Sequence, residues 1–190
     1  MELQKLASEF GTNIAEVVVD NWDDDLTPWP AKGVMPTDPD FKGLASKTLK
    51  TLREEIFPEV ESRLGLTGKV ERDLIGISLS GLFAVWAWME ADDFRNIASI
   101  SGSFWYEGFT AWLDRTDRTV RKTGFAYLSL GDKEGHTRVR AFRNVVADTA
   151  RVEEILRENG ANVLFEWNPG THYGPMVPRL EKALAALQKF

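Results

Sequence analysis

Three residues of this chain have the types and the order needed for acyl transfer: Ser78, a carboxylate at Asp132 or Glu134, and His172. A serine hydroxyl is a weak nucleophile until a neighbouring base takes its proton. An imidazole, with an ordinary pKa near ~6.5, can take that proton and later hand it to a leaving group. A carboxylate behind the imidazole fixes its tautomer and stabilises the imidazolium. The order serine, acid, histidine is one of the chain orders in which this constellation occurs. The sequence contains only two histidines. His136 lies among charged residues between Lys133 and Arg138 and reads as a solvated surface side chain. His172 lies in a loop punctuated by Pro169, Gly170 and Gly174, with Tyr173 beside it.

The elements that must carry these residues follow from periodicity. A short apolar strand ends at Ile77, and the apolar run that follows, too long for one strand and free of proline, reads as a helix over residues 81–91 buried on every face. Ser78 therefore falls on a strand-to-helix turn, with Gly76 two residues before it and Ser80 two residues after it. That is a nucleophile elbow of the G-x-S-x-G kind with serine in the last place; the turn demands small residues at both ends. The backbone N–H of Leu79, near the helix start, is the expected first oxyanion donor.

Further strands are expected over residues 97–101, 125–130 and 163–167, and a β-branched run predicts one over residues 14–19. Helices are expected over residues 2–10, 44–64 with Pro58 as a kink, 142–156 and 180–187. Residues 21–30, with three aspartates, two tryptophans and two prolines, read as a loop. The aspartates lack the alternating spacing and downstream glutamate of an EF-hand. Strict alternation of strand and helix predicts one α/β domain over residues 1–190. It is a three-layer α/β/α sandwich with a mainly parallel central sheet of about five strands. Each candidate residue follows a parallel strand, so all should emerge at one sheet edge. Aromatic residues after the 97–101 strand, Phe104 and Trp105, together with Tyr173, are the expected substrate-binding surface.

Composition narrows the function. The net charge is −6, from 29 acidic and 23 basic residues, which disfavours nucleic acid and anionic membrane as partners. There is no cysteine, so disulfides, thiolate metal sites and cysteine nucleophiles are excluded. The N-terminus lacks a signal-peptide pattern and no apolar run is long enough to span a bilayer, so a cytoplasmic setting is expected. No residue pattern calls for a metal or an organic cofactor.

Taken together, the segments 25–30, 76–83, 101–105, 129–134 and 168–172 resemble the esterase family of the α/β-hydrolase superfamily, the group that includes enterochelin esterase and esterase D. The resemblance covers residues from about 17 to 187. It implies a small-molecule ester as substrate, Ser78 as nucleophile and His172 as base. It favours Glu134 over Asp132 as the acid, because relatives carry the acid about three positions after the glycine that ends this strand. It also implies that the chain is N-terminally shortened, lacking strands that precede the 14–19 segment in relatives. The second oxyanion donor is then expected from Asn21 or Trp22. Failing that, the hole is incomplete, and the alternative is a weakly active or inactive α/β-hydrolase-fold binding protein. A phosphate-binding reading is set aside, because the loop after the first expected strand carries aspartates. The 14–19 strand is expected at a sheet edge, covered by the N-terminal helix or by a second copy of the chain.

Overall fold

A computed structural model of the protein describes residues 2–115 and 123–190. Its frame is a sheet of four strands in the order β1-β2-β3-β4, all parallel. The strands are β1 (Asp73–Ile77), β2 (Asn96–Ile100), β3 (Phe125–Gly131) and β4 (Asn162–Asn168). β2 and β3 are buried at every position, as expected of central parallel strands covered on both faces.

The two faces separate by alternation along the strands. Ile97, Ala126, Leu128 and Val163 join one cluster with α5 (Leu79–Glu90) and α7 (Val145–Glu158). Ala98, Ile100, Phe125 and Tyr127 point the other way, onto α8 (Met176–Leu187). Helix α5 buries nine of its twelve residues, Leu82, Ala84, Val85 and Ala87 completely. Such all-round apolarity suits a helix packed against the sheet and roofed by others. α3 (Ala45–Thr51) packs on α5, α4 (Phe57–Leu64) follows α3, and α6 (Phe109–Arg115) packs on α7. α1 (Glu2–Glu9) lies near the end of α8, where Gln188 Nε2 donates to the carbonyl of Phe10.

The expected 44–64 helix is present, with a π-helical turn over Leu52–Ile56. The cause is Pro58, which has no N–H to give to the carbonyl of Glu54. The Phe57 N–H bonds the carbonyl of Leu52 instead, five residues back.

Residues 14–19 correct the sequence reading: they form no strand, and Val17 and Val18 are 43% and 84% exposed. β-propensity is realised only where a neighbouring strand supplies pairing and a covered face. With no partner strand, the β-branched run is irregular backbone, and β1 is an outer strand of the sheet. The expected loop over residues 21–30 also holds one helical turn, α2 (Trp22–Asp25), capped by the Asn21 side chain.

Candidate active site

The parallel register brings the C-terminal ends of all four strands to one edge. Ile77 pairs with Ile100, Ile100 with Ser129, and Gly131 with Asn168. The residues just beyond these ends make the site. Ser78 follows β1 directly, at φ 59° and ψ −121°. Among the described residues, Ser78 and Ser101 are the non-glycine residues with positive φ, and both stand at this edge. Such a conformation costs on the order of 1–3 kcal/mol and persists only where its surroundings impose it. Here the Ser78 N–H donates to the Ile100 carbonyl at 3.0 Å, and the Ser78 carbonyl accepts from the N–H of Ser103 at 3.1 Å. The turn closes so tightly that a Cβ on Gly76 would stand 1.9 Å from the carbonyl oxygen of Ser80. Ser80 itself fits. Its Oγ accepts from the Ile77 N–H at 2.7 Å and donates to the Ile77 carbonyl at 2.8 Å, so the hydroxyl staples the elbow.

The structure brings three side chains into a relay. Ser78 Oγ lies 3.1 Å from His172 Nε2, and His172 Nδ1 lies 3.0 Å from Glu134 Oε2. The carboxylate accepts from Nδ1–H, which leaves Nε2 as the acceptor of the Ser78 proton. The Glu134 side chain is 2% exposed, against 33% for His172. The other carboxylate oxygen, Oε1, accepts from Ser101 Oγ and from the Gly131 N–H, each at 2.6 Å, with Arg179 Nη1 at 3.5 Å. Burial pushes the Glu134 carboxyl up, but the hydrogen bonds from His172, Ser101 and Gly131 outweigh it and hold the group below its ordinary value.

Asp132 does not belong to the relay. It is exposed, its Oδ1 accepts from the Gly170 N–H at 2.8 Å, and its own N–H donates to the Asn168 carbonyl at 2.8 Å. It joins the acid loop to the histidine loop from outside. His136 is exposed, as expected of a solvated residue.

Of the two expected second oxyanion donors, Asn21 is engaged elsewhere. The Asn21 N–H donates to Asp25 Oδ2 at 2.9 Å, and its side-chain amide donates to Asp24 Oδ2 at 2.9 Å. The backbone N–H and the side-chain amide thus both turn onto α2, whose first turn is capped by Asn21 Oδ1 accepting from the Asp24 N–H. Trp22 heads that same short helix, which packs on α3, and is 48% exposed. The reason is Asp24: this buried carboxylate collects the Asn21 amide, the Lys42 N–H at 2.9 Å and the Lys42 ammonium at 2.7 Å, and so folds the aspartate stretch on itself. Among the described residues no group of three or more His, Asp or Glu is placed to hold a metal ion.

Of the expected substrate-binding residues, Phe104 is a core residue, 2% exposed and stacked on Phe109 with ring centroids 5.6 Å apart. Trp105 is half-buried against Phe142, centroids 4.7 Å apart. Tyr173 is 91% exposed and meets the His172 ring edge-on at 5.4 Å. Besides Ser101, two residues that the sequence did not single out touch the relay. Ser103, almost fully buried, places its Oγ 3.3 Å from Ser78 Oγ. Arg179, 2% exposed, reaches in from α8. Ser103 lies in the 101–105 segment that carries the resemblance, but nothing there separates it from Ser101, and Arg179 is an arginine in an amphipathic helix with no sequence signal of its own. A cavity of about 450 Å³ lies at the opposite edge of the sheet, between the strand starts Asn96, Phe125 and Asn162, and does not reach the relay.

Residues 3–173 match the family model Esterase, described as "Putative esterase". The uncharacterized protein YbbA of Bacillus subtilis (strain 168) is 30% identical over 139 residues, covering 72% of this chain and 55% of that protein. Siderophore hydrolase EstB from Aspergillus nidulans superposes with a TM-score of 0.71 at 22% identity, over 87% of this chain and 64% of EstB. An IroE-like serine hydrolase from Shewanella oneidensis gives 0.79 at 18% identity, over 99% and 66% of the two chains. The chain thus spans between about half and two thirds of these proteins. The structural likeness establishes the α/β-hydrolase fold. The family match extends from α1 through the histidine loop, and by it the chain belongs to the esterase family.

Proposed function

We propose that the protein is a serine hydrolase of carboxylic esters working through an acyl-enzyme intermediate. The observation that carries this reading is the continuous relay from Ser78 Oγ through His172 to the buried Glu134 carboxylate, with links of 3.1 and 3.0 Å. His172 Nε2 takes the Ser78 proton as Oγ attacks the ester carbonyl. The tetrahedral oxyanion forms near the start of α5, where the Leu79 N–H is the first donor. The imidazolium, stabilised by Glu134, gives its proton to the departing alkoxide. Water then attacks the acyl-enzyme with the same residues in the same roles. The site stands at the C-terminal edge of the sheet beside the exposed Tyr173.

A second reading, a binding protein of the same fold with little or no turnover, draws on one observation: the Asn21 donors are engaged with Asp24 and Asp25. Losing one oxyanion donor costs about 10²- to 10³-fold in rate. Hydrolysis of a p-nitrophenyl ester series by wild type and Ser78→Ala separates the readings. The hydrolase reading expects turnover that Ser78→Ala abolishes, and a phosphonate adduct on Ser78. No turnover and no adduct would favour the binding protein.

A further inference from the structure

Arg179 is a buried cation that the relay does not use directly, and it lies beyond residues 3–173, the span of the family match. Its guanidinium touches both loops that the relay must hold together. Nη1 donates to Ser101 Oγ at 2.9 Å and faces Glu134 Oε1 at 3.5 Å. Nη2 donates to the carbonyl of Thr171, the residue before His172, at 2.8 Å and faces the Pro169 carbonyl at 3.4 Å. Ser101 relays the contact, since its own hydroxyl donates to Glu134 Oε1 at 2.6 Å. One side chain on α8 thus joins the end of β2, the acid loop after β3 and the histidine loop after β4. The backbone makes room for it: a Cβ on Gly174 would stand 2.5 Å from Nη2. A planar fork with several donors can bind two acceptor sets at once, whereas an ammonium on a flexible stem acts as a point charge.

We propose that Arg179 is a positioning residue for the esterase site, a fork that holds the His172 loop against the Glu134 loop so that imidazole and carboxylate stay in register. This rests on the hydrolase reading of Ser78, His172 and Glu134. Displacement of a catalytic group by about 1 Å costs on the order of 10²-fold in rate, and it falls on kcat where substrate contacts are untouched.

The test uses Arg179→Ala and Arg179→Lys, with folding checked by circular dichroism. In Arg179→Ala, kcat for the p-nitrophenyl ester should fall about 10²-fold with KM changed less than about threefold. Guanidinium chloride at sub-denaturing concentration should restore at least about tenfold of that loss, and sodium chloride at equal ionic strength should not. Wild type should show a far-downfield proton resonance from His172 Nδ1–H, which should vanish in Arg179→Ala and return with guanidinium. Unchanged kcat and an unchanged resonance would overturn the proposal, as would a loss in a folded variant that guanidinium does not reverse. Should Arg179→Ala fail to fold, Arg179→Lys decides: it retains the charge but not the fork, so a fall in kcat supports the proposal and wild-type kcat overturns it. The resonance needs no turnover. A wild type without esterase activity but with this proton would sink the hydrolase reading and leave the positioning role measurable by the resonance alone.

Discussion

Replacing Glu134 by glutamine tests the relay at its most constrained atom. The substitution keeps size and removes one charge. In the native site, Oε1 collects the Ser101 hydroxyl and the Gly131 N–H at 2.6 Å, and Oε2 alone faces His172 Nδ1. The amide oxygen must therefore take the Oε1 place, and the NH2 group is driven against Nδ1. That NH2 can only donate, so the imidazole is turned into the tautomer with its proton on Nε2. A protonated Nε2 cannot accept from Ser78. Flipping the amide to recover the right tautomer sets NH2 against the Gly131 N–H and the Arg179 guanidinium, at about 2–3 kcal/mol. The lost carboxylate stabilisation of the imidazolium adds about 2–3 kcal/mol. A barrier higher by about 4–6 kcal/mol lowers kcat by roughly 10³- to 10⁴-fold. Asp132→Asn is the control, since its Oδ1 serves only the Gly170 N–H. It should cost less than about tenfold in kcat and about 1 kcal/mol in stability. Steady-state kinetics on one p-nitrophenyl ester, with chemical denaturation of each variant, reads both. Equal losses at the two positions, or a Glu134→Gln enzyme retaining more than a tenth of wild-type kcat, would refute the tautomer argument.

Glu134 also makes stability pH-dependent. Its carboxyl is held below its ordinary value of 4.5, so its contribution is complete above that value and is lost as pH falls through the lower folded-state value. Thermal melts from pH 7 down to pH 3 should therefore show a steeper acid decline in wild type than in Glu134→Gln; parallel declines would mean that another group dominates. Ser80→Gly restores glycine to the elbow but removes the two hydrogen bonds to Ile77, and should destabilise the fold by about 1–2 kcal/mol in urea denaturation. Ser103→Ala removes the hydroxyl 3.3 Å from Ser78 Oγ and should lower kcat about tenfold with KM unchanged, as expected for a group that orients the nucleophile; an unchanged kcat would assign Ser103 to packing alone.

What the sequence made legible was whatever local pattern imposes. The β1–Ser78–α5 junction was readable because Gly76 precedes an apolar run too long for a strand, and the closeness of Gly76 to Ser80 shows why glycine is required there. The four parallel strands were readable because each is a short apolar run bounded by turn residues. Residues 14–19 have the same local pattern yet form no strand. A strand is a relation between two segments, and β-branched composition reports only one of them. The π-helical turn was foreshadowed by Pro58, whose missing N–H is a local fact. The capping role of Asn21 was not, because it depends on Asp24 being buried against Lys42, eighteen residues away.

The choice between Asp132 and Glu134 shows the same division within two residues of one turn. Both follow Gly131, both are carboxylates, and composition cannot rank them. Their separation comes from the direction each side chain leaves the backbone. Glu134 turns inward, where its Oε1 bonds back to the Gly131 N–H three residues earlier and leaves Oε2 toward His172. Asp132 turns outward and ties the same loop to Gly170. The two acids are thus complementary: one faces the imidazole, the other holds together the loops from which acid and base project. Arg179 does from inside what Asp132 does from outside, and it comes from a helix more than forty residues further along the chain. A motif can name the groups that meet a substrate. The side chains that keep those groups within 3.1 Å of one another become visible only when the strand ends are brought to one edge.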